Sequence, residues 1–194
     1  LNFSESVVYN ADAYSLDVGH TWIDMQFLEG SRHEGEVAAQ GTKLYQTTRI
    51  DEDDEPVSRQ TWRIDLGLSS PSWEMVGEEP TTDYFNRQIL SVSQSAPLFR
   101  WVLFYEENTV QLERSYDEGA TWSLMETSCV TDVRAHSDGV FCGADDDTVL
   151  WYSLTTDSWT NINATYYDSL YASGALHDAL YIHRDEQIVR VAVD

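Results

Sequence analysis

Apolar and polar positions alternate along most of this chain, and a helical spacing rarely survives for more than a turn. Val110-Gln-Leu-Glu-Arg-Ser115 and Ile188-Val-Arg-Val-Ala-Val193 read as strands with one face toward a core. Such segments are short and are punctuated by turn formers: Asp17-Val-Gly19, Gly41-Thr42, Asp117-Glu-Gly119 and Ser137-Asp-Gly139. Many short strands with regular turns predict an all-β sandwich, barrel or propeller rather than alternating strands and helices.

One pattern recurs within this alternation. A strand and a polar turn lead to a Ser or Thr directly before a tryptophan, at Trp22, Trp73, Trp122 and Trp159, so the intervals are 51, 49 and 37 residues. A propeller blade, four antiparallel strands, occupies roughly 40–50 residues. The piece Thr131–Asn163 divides most clearly, into strands at 131–136, 139–144, 148–154 and 158–161. Residues 88–127 and 36–77 divide alike, the latter with an added acidic loop, Asp51-Glu-Asp-Asp-Glu55. The tail supplies three strands near 169–174, 179–183 and 187–193. The N-terminus reads as starting late in a blade. The expected fold is therefore one β-propeller domain over residues 1–194, of about four blades, with a blade closed jointly by N- and C-terminal strands, or else a segment of a larger propeller.

Two of the four turns carry a fuller motif. Ser15-Leu-Asp17-Val-Gly19-His-Thr21-Trp22 and Ser115-Tyr-Asp117-Glu-Gly119-Ala-Thr121-Trp122 both read S-x-D-x-G-x-T-W. This resembles the Asp-box of sialidase-type (BNR) propellers, found also in sorting receptors of the sortilin type. The turns at Trp73 and Trp159 lack the Asp-x-Gly centre and are more similar to kelch blades. The chemistry suits a turn: glycine takes positive φ without steric cost, the aspartate accepts backbone N–H bonds, the hydroxyls close local bonds and the indole fills the space between sheets. The resemblance implies a structural role for the box, away from the binding face.

A sialidase would need an arginine cluster for the substrate carboxylate, a Tyr/Glu nucleophile pair and a general acid. The resemblance also implies an Arg-Ile-Pro motif near the start. The nearest sequence is Arg49-Ile50-Asp51, with Asp in place of Pro. Arg100, Arg134 and Arg184 fall on different expected blades, where they would either converge near an axis or pair with acids; Arg49, Arg100 and Arg184 are the arginines that could contact a ligand. Tyr166, Tyr167 and Tyr171 offer a stacking platform for a glycan or protein, or serve inter-blade packing. No catalytic residue is assigned.

Composition narrows the partners. With 34 acidic against 11 basic side chains the net charge is −23, which disfavours nucleic acid and anionic membrane and favours a basic partner. The longest apolar run, Trp101–Tyr105, is too short for a transmembrane helix. The acidic clusters 51–55 and 145–147 read as solvated loops. With Asp51 as first position, Pro56 stands where a calcium loop needs glycine. No metal site and no cofactor is expected. Asn2-Phe-Ser4 and Asn163-Ala-Thr165 are glycosylation triplets. Cys129 and Cys142, the only cysteines, read either as a disulfide or as two buried thiols. A hairpin turned at 137–139 would set Cys142 opposite Val133 rather than Cys129, which leaves both open. Lacking an initial Met and a basic-then-apolar leader, the chain reads as a mature product or an excised fragment. The expected function is a non-catalytic recognition module, secreted, cell-surface or lumenal, for a protein or glycan. The alternatives are a sialidase-like glycoside hydrolase, or a fragment of one, and a segment of a larger sorting-receptor-type propeller.

Overall fold

The computed structural model describes residues 2–3, 8–9, 13–15, 20–24, 32–53, 55–81, 87–91, 97–104, 109–136, 138–144, 148–165, 174–176, 179–184 and 187–192. Among them every regular element is a strand, and each sheet is an antiparallel meander of consecutive strands. The first sheet comprises β1 (Asn2–Phe3), β2 (Val8–Tyr9), β3 (Ala13–Ser15) and β4 (Ile23–Asp24). The second comprises β5 (Arg32–Gln40), β6 (Lys43–Glu52), β7 (Glu55–Asp65) and β8 (Glu74–Pro80). The third comprises β9 (Arg87–Ser91), β10 (Leu98–Phe104), β11 (Thr109–Ser115) and β12 (Ser123–Met125). The fourth comprises β13 (Cys129–His136), β14 (Gly139–Ala144), β15 (Thr148–Ser153) and β16 (Ser158–Thr165). The fifth has three strands: β17 (Gly174–Leu176), β18 (Ala179–Arg184) and β19 (Gln187–Ala192).

One expectation is corrected here. There are five sheets among the described residues, not about four, because the residues before Trp22 fold into three very short strands of their own. β1 pairs with β2 inside the first sheet, and β17–β19 has no fourth strand among the described residues.

Apolar faces decide how the sheets sit. Tyr14 of β3 packs with Val37, Leu44, Ile64 and Leu66 of the second sheet. Ala38 and Tyr45 on the other face of the second sheet meet Ile89 and Leu98 of the third. Phe99, Val110 and Leu112 of the third sheet join Val133, Val140 and Tyr152 of the fourth, with Phe99 and Tyr152 edge to face at 5.9 Å. Each of the first three sheets thus buries a face against its successor, removing apolar area from water. The first strands run side by side, β5 beside β9, β9 beside β13, and β13 beside β17.

Turn contacts fix the orientation. Glu118, in the turn between β11 and β12, pairs with Lys43 and Arg63 at one end of the second sheet. Asp157, in the turn between β15 and β16, pairs with Arg114 at the same end of the third. Arg63 and Arg114 are equivalent: each lies near the end of a third strand, opposite the first residue of the fourth. The second, third and fourth sheets therefore point the same way.

Cys129 and Cys142 are bonded, with Cα atoms 5.6 Å apart. The hairpin does begin in the expected register, His136 opposite Gly139. Two register shifts along β13 then carry Cys129 toward β14. The bond closes a short loop between the first two strands of the fourth sheet. Replacing both cysteines by alanine is expected to cost about 3 kcal/mol of unfolding free energy, by the chain-entropy estimate for a loop near 15 residues. Denaturant unfolding of the double variant against the oxidised parent measures it.

Candidate functional site between the second and third sheets

The second sheet turns a polar surface to the third. Tyr45, Thr47 and Arg49 on β6 stand opposite Arg63, Thr61 and Arg59 on β7, so period-two alternation puts all six on one face. Arg59 is almost wholly buried and donates to the Thr81 hydroxyl at 2.6 Å. Across from it, Arg100 of β10 is 1% exposed. Its guanidinium grips both oxygens of Glu79 at 2.9 and 3.1 Å and donates to Glu113 at 2.7 Å. It also lies 4.4 Å from the centre of the Trp122 ring. A buried guanidinium needs this company, because an unpaired charge there would carry a large desolvation cost.

The Asp-box turn builds the opposite wall. The Ser115 hydroxyl donates to Asp117 at 2.8 Å and accepts the Gly119 N–H at 2.8 Å. Asp117 accepts the Thr121 N–H at 2.8 Å and the Thr121 hydroxyl at 2.6 Å. Glu118 and Gly119 both take positive φ, 58° and 89°. The turn is pressed against β8: a Cβ added at Gly77 would stand 2.7 Å from the Gly119 carbonyl oxygen. Close approach of two backbones, rather than conformational freedom, is what Gly77 supplies. Between turn and sheet lies a cavity of about 220 Å³, lined by Arg59, Thr61, Glu79, Arg100, Ala120 and Trp122 among others.

Buried polar atoms in this region are left without partners among the described groups. They are the Trp122 indole N–H, the Thr47 hydroxyl and the Tyr45 hydroxyl. Burial pushes the Tyr45 phenol up to about 12. At the neighbouring junction, between the third and fourth sheets, the Trp101 indole N–H is likewise buried without a partner among the described groups. Arg114 donates to the Tyr152 hydroxyl at 2.9 Å and to Asp157 at 2.7 Å, and Tyr152 donates to Asp157. Burial, with that bond to Asp157, pushes the Tyr152 phenol up to about 12, so it is no ready nucleophile.

The sequence candidates are distributed unevenly. The second Asp-box, Ser115, Asp117, Gly119, Thr121 and Trp122, assembles as a turn. Of the first, Ser15 is buried at the end of β3, Thr21 and Trp22 are exposed, and Asp17 and Gly19 lie outside the described residues. The arginines are held at separate places. Arg49 bonds Asp51 at 2.8 Å beside the β6–β7 hairpin, Arg134 donates to the Val133 carbonyl, and Arg100 is enclosed between sheets. Arg184 ends β18, and its side chain lies outside the described residues, as do those of Asn2 and Asn163. Tyr166, Tyr167 and Tyr171 also fall outside. Sequence reasoning missed Arg59, Arg63, Gly77 and Glu79. The signal available was Arg59-Gln-Thr-Trp-Arg63, charges on the same phase of an alternating strand. Among the described residues no helix is long and apolar enough to cross a membrane, and no group of three or more metal-ligating side chains is gathered.

No protein-family model matches the chain, and no curated protein does. A solved structure to which it is similar is the Trypanosoma rangeli sialidase in complex with the inhibitor DANA, at 13% identity and a TM-score of 0.43. The match covers 94% of this chain and 39% of the sialidase chain, so this chain spans about two-fifths of its length. A likeness of that size says nothing of activity.

Asp117 also gives the box a pH dependence. The Thr121 hydroxyl first, then the Thr121 N–H, hold its carboxyl below the usual range. A carboxylate depressed in the folded state stabilises the fold above its unfolded value of about 3.9, and that contribution is lost as pH falls through the folded value. The stability advantage of the parent over Asp117→Asn is therefore expected to be full at pH 7 and to shrink steadily below about pH 4. Chemical unfolding of both proteins across that range checks it.

Proposed function

We propose that the five meanders are blades of a β-propeller, or of a segment of a larger one, and that the 194 residues work as one non-catalytic recognition domain. Stacked sheets with their first strands side by side and a common direction support the propeller reading. The observation that carries the non-catalytic reading is the saturation of the site's charges. Arg100 is consumed by Glu79 and Glu113, leaving it a structural cation rather than a clamp for a substrate carboxylate. The tyrosine that does sit beside a carboxylate, Tyr152, holds its proton more tightly than a free phenol.

The partner is a protein or a glycan, met by a preorganised surface that loses little entropy on binding. A net charge of −23 favours a basic protein partner and a salt-sensitive association. The disulfide supports a secreted, cell-surface or lumenal setting, where such bonds persist. The test pairs binding with turnover: a glycan array and a lysine-rich peptide at low and high salt, beside an aryl-sialoside hydrolysis assay. Saturable binding with hydrolysis at the no-protein rate is expected. Hydrolysis above that rate would overturn the reading in favour of a sialidase-like glycosidase.

A further inference from the structure

We infer that the cavity between the second and third sheets binds one neutral polyol unit, the size of a single sugar ring. The inference rests on the recognition reading and names the ligand of that module. Charge balance selects the ligand class. Of the two buried cations, Arg100 is paired with Glu79 and Glu113, and Arg59 donates to Thr81 on the same face. A small anion entering there would meet Glu79 at close range. A cation would meet Arg59 and Arg100. A neutral molecule whose hydroxyls both donate and accept avoids each conflict, and polyols are such molecules.

The wall supplies the matching groups. The Gly119 and Ala120 carbonyls stand beside Gly77, acceptors for a ligand hydroxyl. Thr61 and Thr121 line the same space with hydroxyls. Trp122 lines it too, and its buried indole N–H has no acceptor among the described groups. Buried donors without partners are rare because each costs free energy, and a hydroxyl-rich ligand accepting from them removes that cost. Size agrees: about 220 Å³ lies below the roughly 300–1,000 Å³ of sites for drug-sized molecules, and suits one ring. A ligand so small binds weakly, with Kd on the order of millimolar.

The test follows the Trp122 indole N–H cross-peak by NMR while the folded protein is titrated with D-glucose, D-galactose and D-mannose. Sodium acetate and guanidinium serve as anionic and cationic probes. Saturable movement with at least one hexose, and none with either ion, is expected. Ala120→Leu, which places a larger side chain at an exposed position on the cavity wall, should weaken that binding at least tenfold at an unchanged unfolding midpoint. An indole signal unmoved by all three hexoses, or moved as strongly in Ala120→Leu, overturns the inference, as does movement by acetate alone. Array binding that survives Ala120→Leu would overturn this site while leaving the recognition reading intact. Absence of both bindings would overturn the two together.

Discussion

A four-stranded meander has two faces and cannot keep both dry alone, so each sheet here depends on its neighbour leaning against it. The turn before the fourth strand does the leaning. Trp73 packs on the cluster shared by the first and second sheets, Trp122 on that between the second and third, and Trp159 on that between the third and fourth. In two of these turns an acid at positive φ, Glu118 or Asp157, reaches an arginine near the end of the preceding sheet's third strand. The indole supplies buried area and the ion pair supplies direction. A surface ion pair contributes no more than about 1 kcal/mol, so burial holds the stack and the pair sets its register. Trp22, in the first of the five sheets, is 41% exposed.

Much of this was legible because a strand with one buried face writes its period into the sequence. The strand expected at 139–144 is β14 residue for residue, and that expected at 110–115 is β11 less its first residue. The recurring tryptophans marked the turns. What escaped notice has physical causes. Strands of two or three residues, as in β1 to β4, are too short for alternation to show. The shifts along β13 that bring Cys129 to Cys142 insert residues at places no turn signal announces. Pairings across sheets, such as Arg100 with Glu79, join positions 21 residues apart in the chain through an angle that only the stack defines.

The junction between the second and third sheets differs in kind from the next one. Between the third and fourth, Phe99, Leu112, Val133 and Tyr152 make an apolar seam. Between the second and third, an apolar patch of Ala38, Tyr45, Ile89 and Leu98 gives way to Arg59, Thr61, Arg100 and the Asp-box. Two buried guanidiniums, Arg100 with its carboxylates and Arg59 with the Thr81 hydroxyl, replace hydrocarbon there, an arrangement that seldom stabilises more than a well-packed core would. The same exchange opens a cavity whose walls offer both donors and acceptors.

Arg100 reaches from the third sheet to the Glu79 carboxylate of the second, and a double-mutant cycle tests that contact most directly. Unfolding free energies of the parent, Arg100→Met, Glu79→Gln and the double variant give the coupling between the two side chains. A bidentate contact at 2.9 and 3.1 Å predicts a favourable coupling of about 1–3 kcal/mol. Effects that add to within roughly 0.3 kcal/mol would mean that the two groups do not touch, and the stacking of the second sheet on the third would be contradicted.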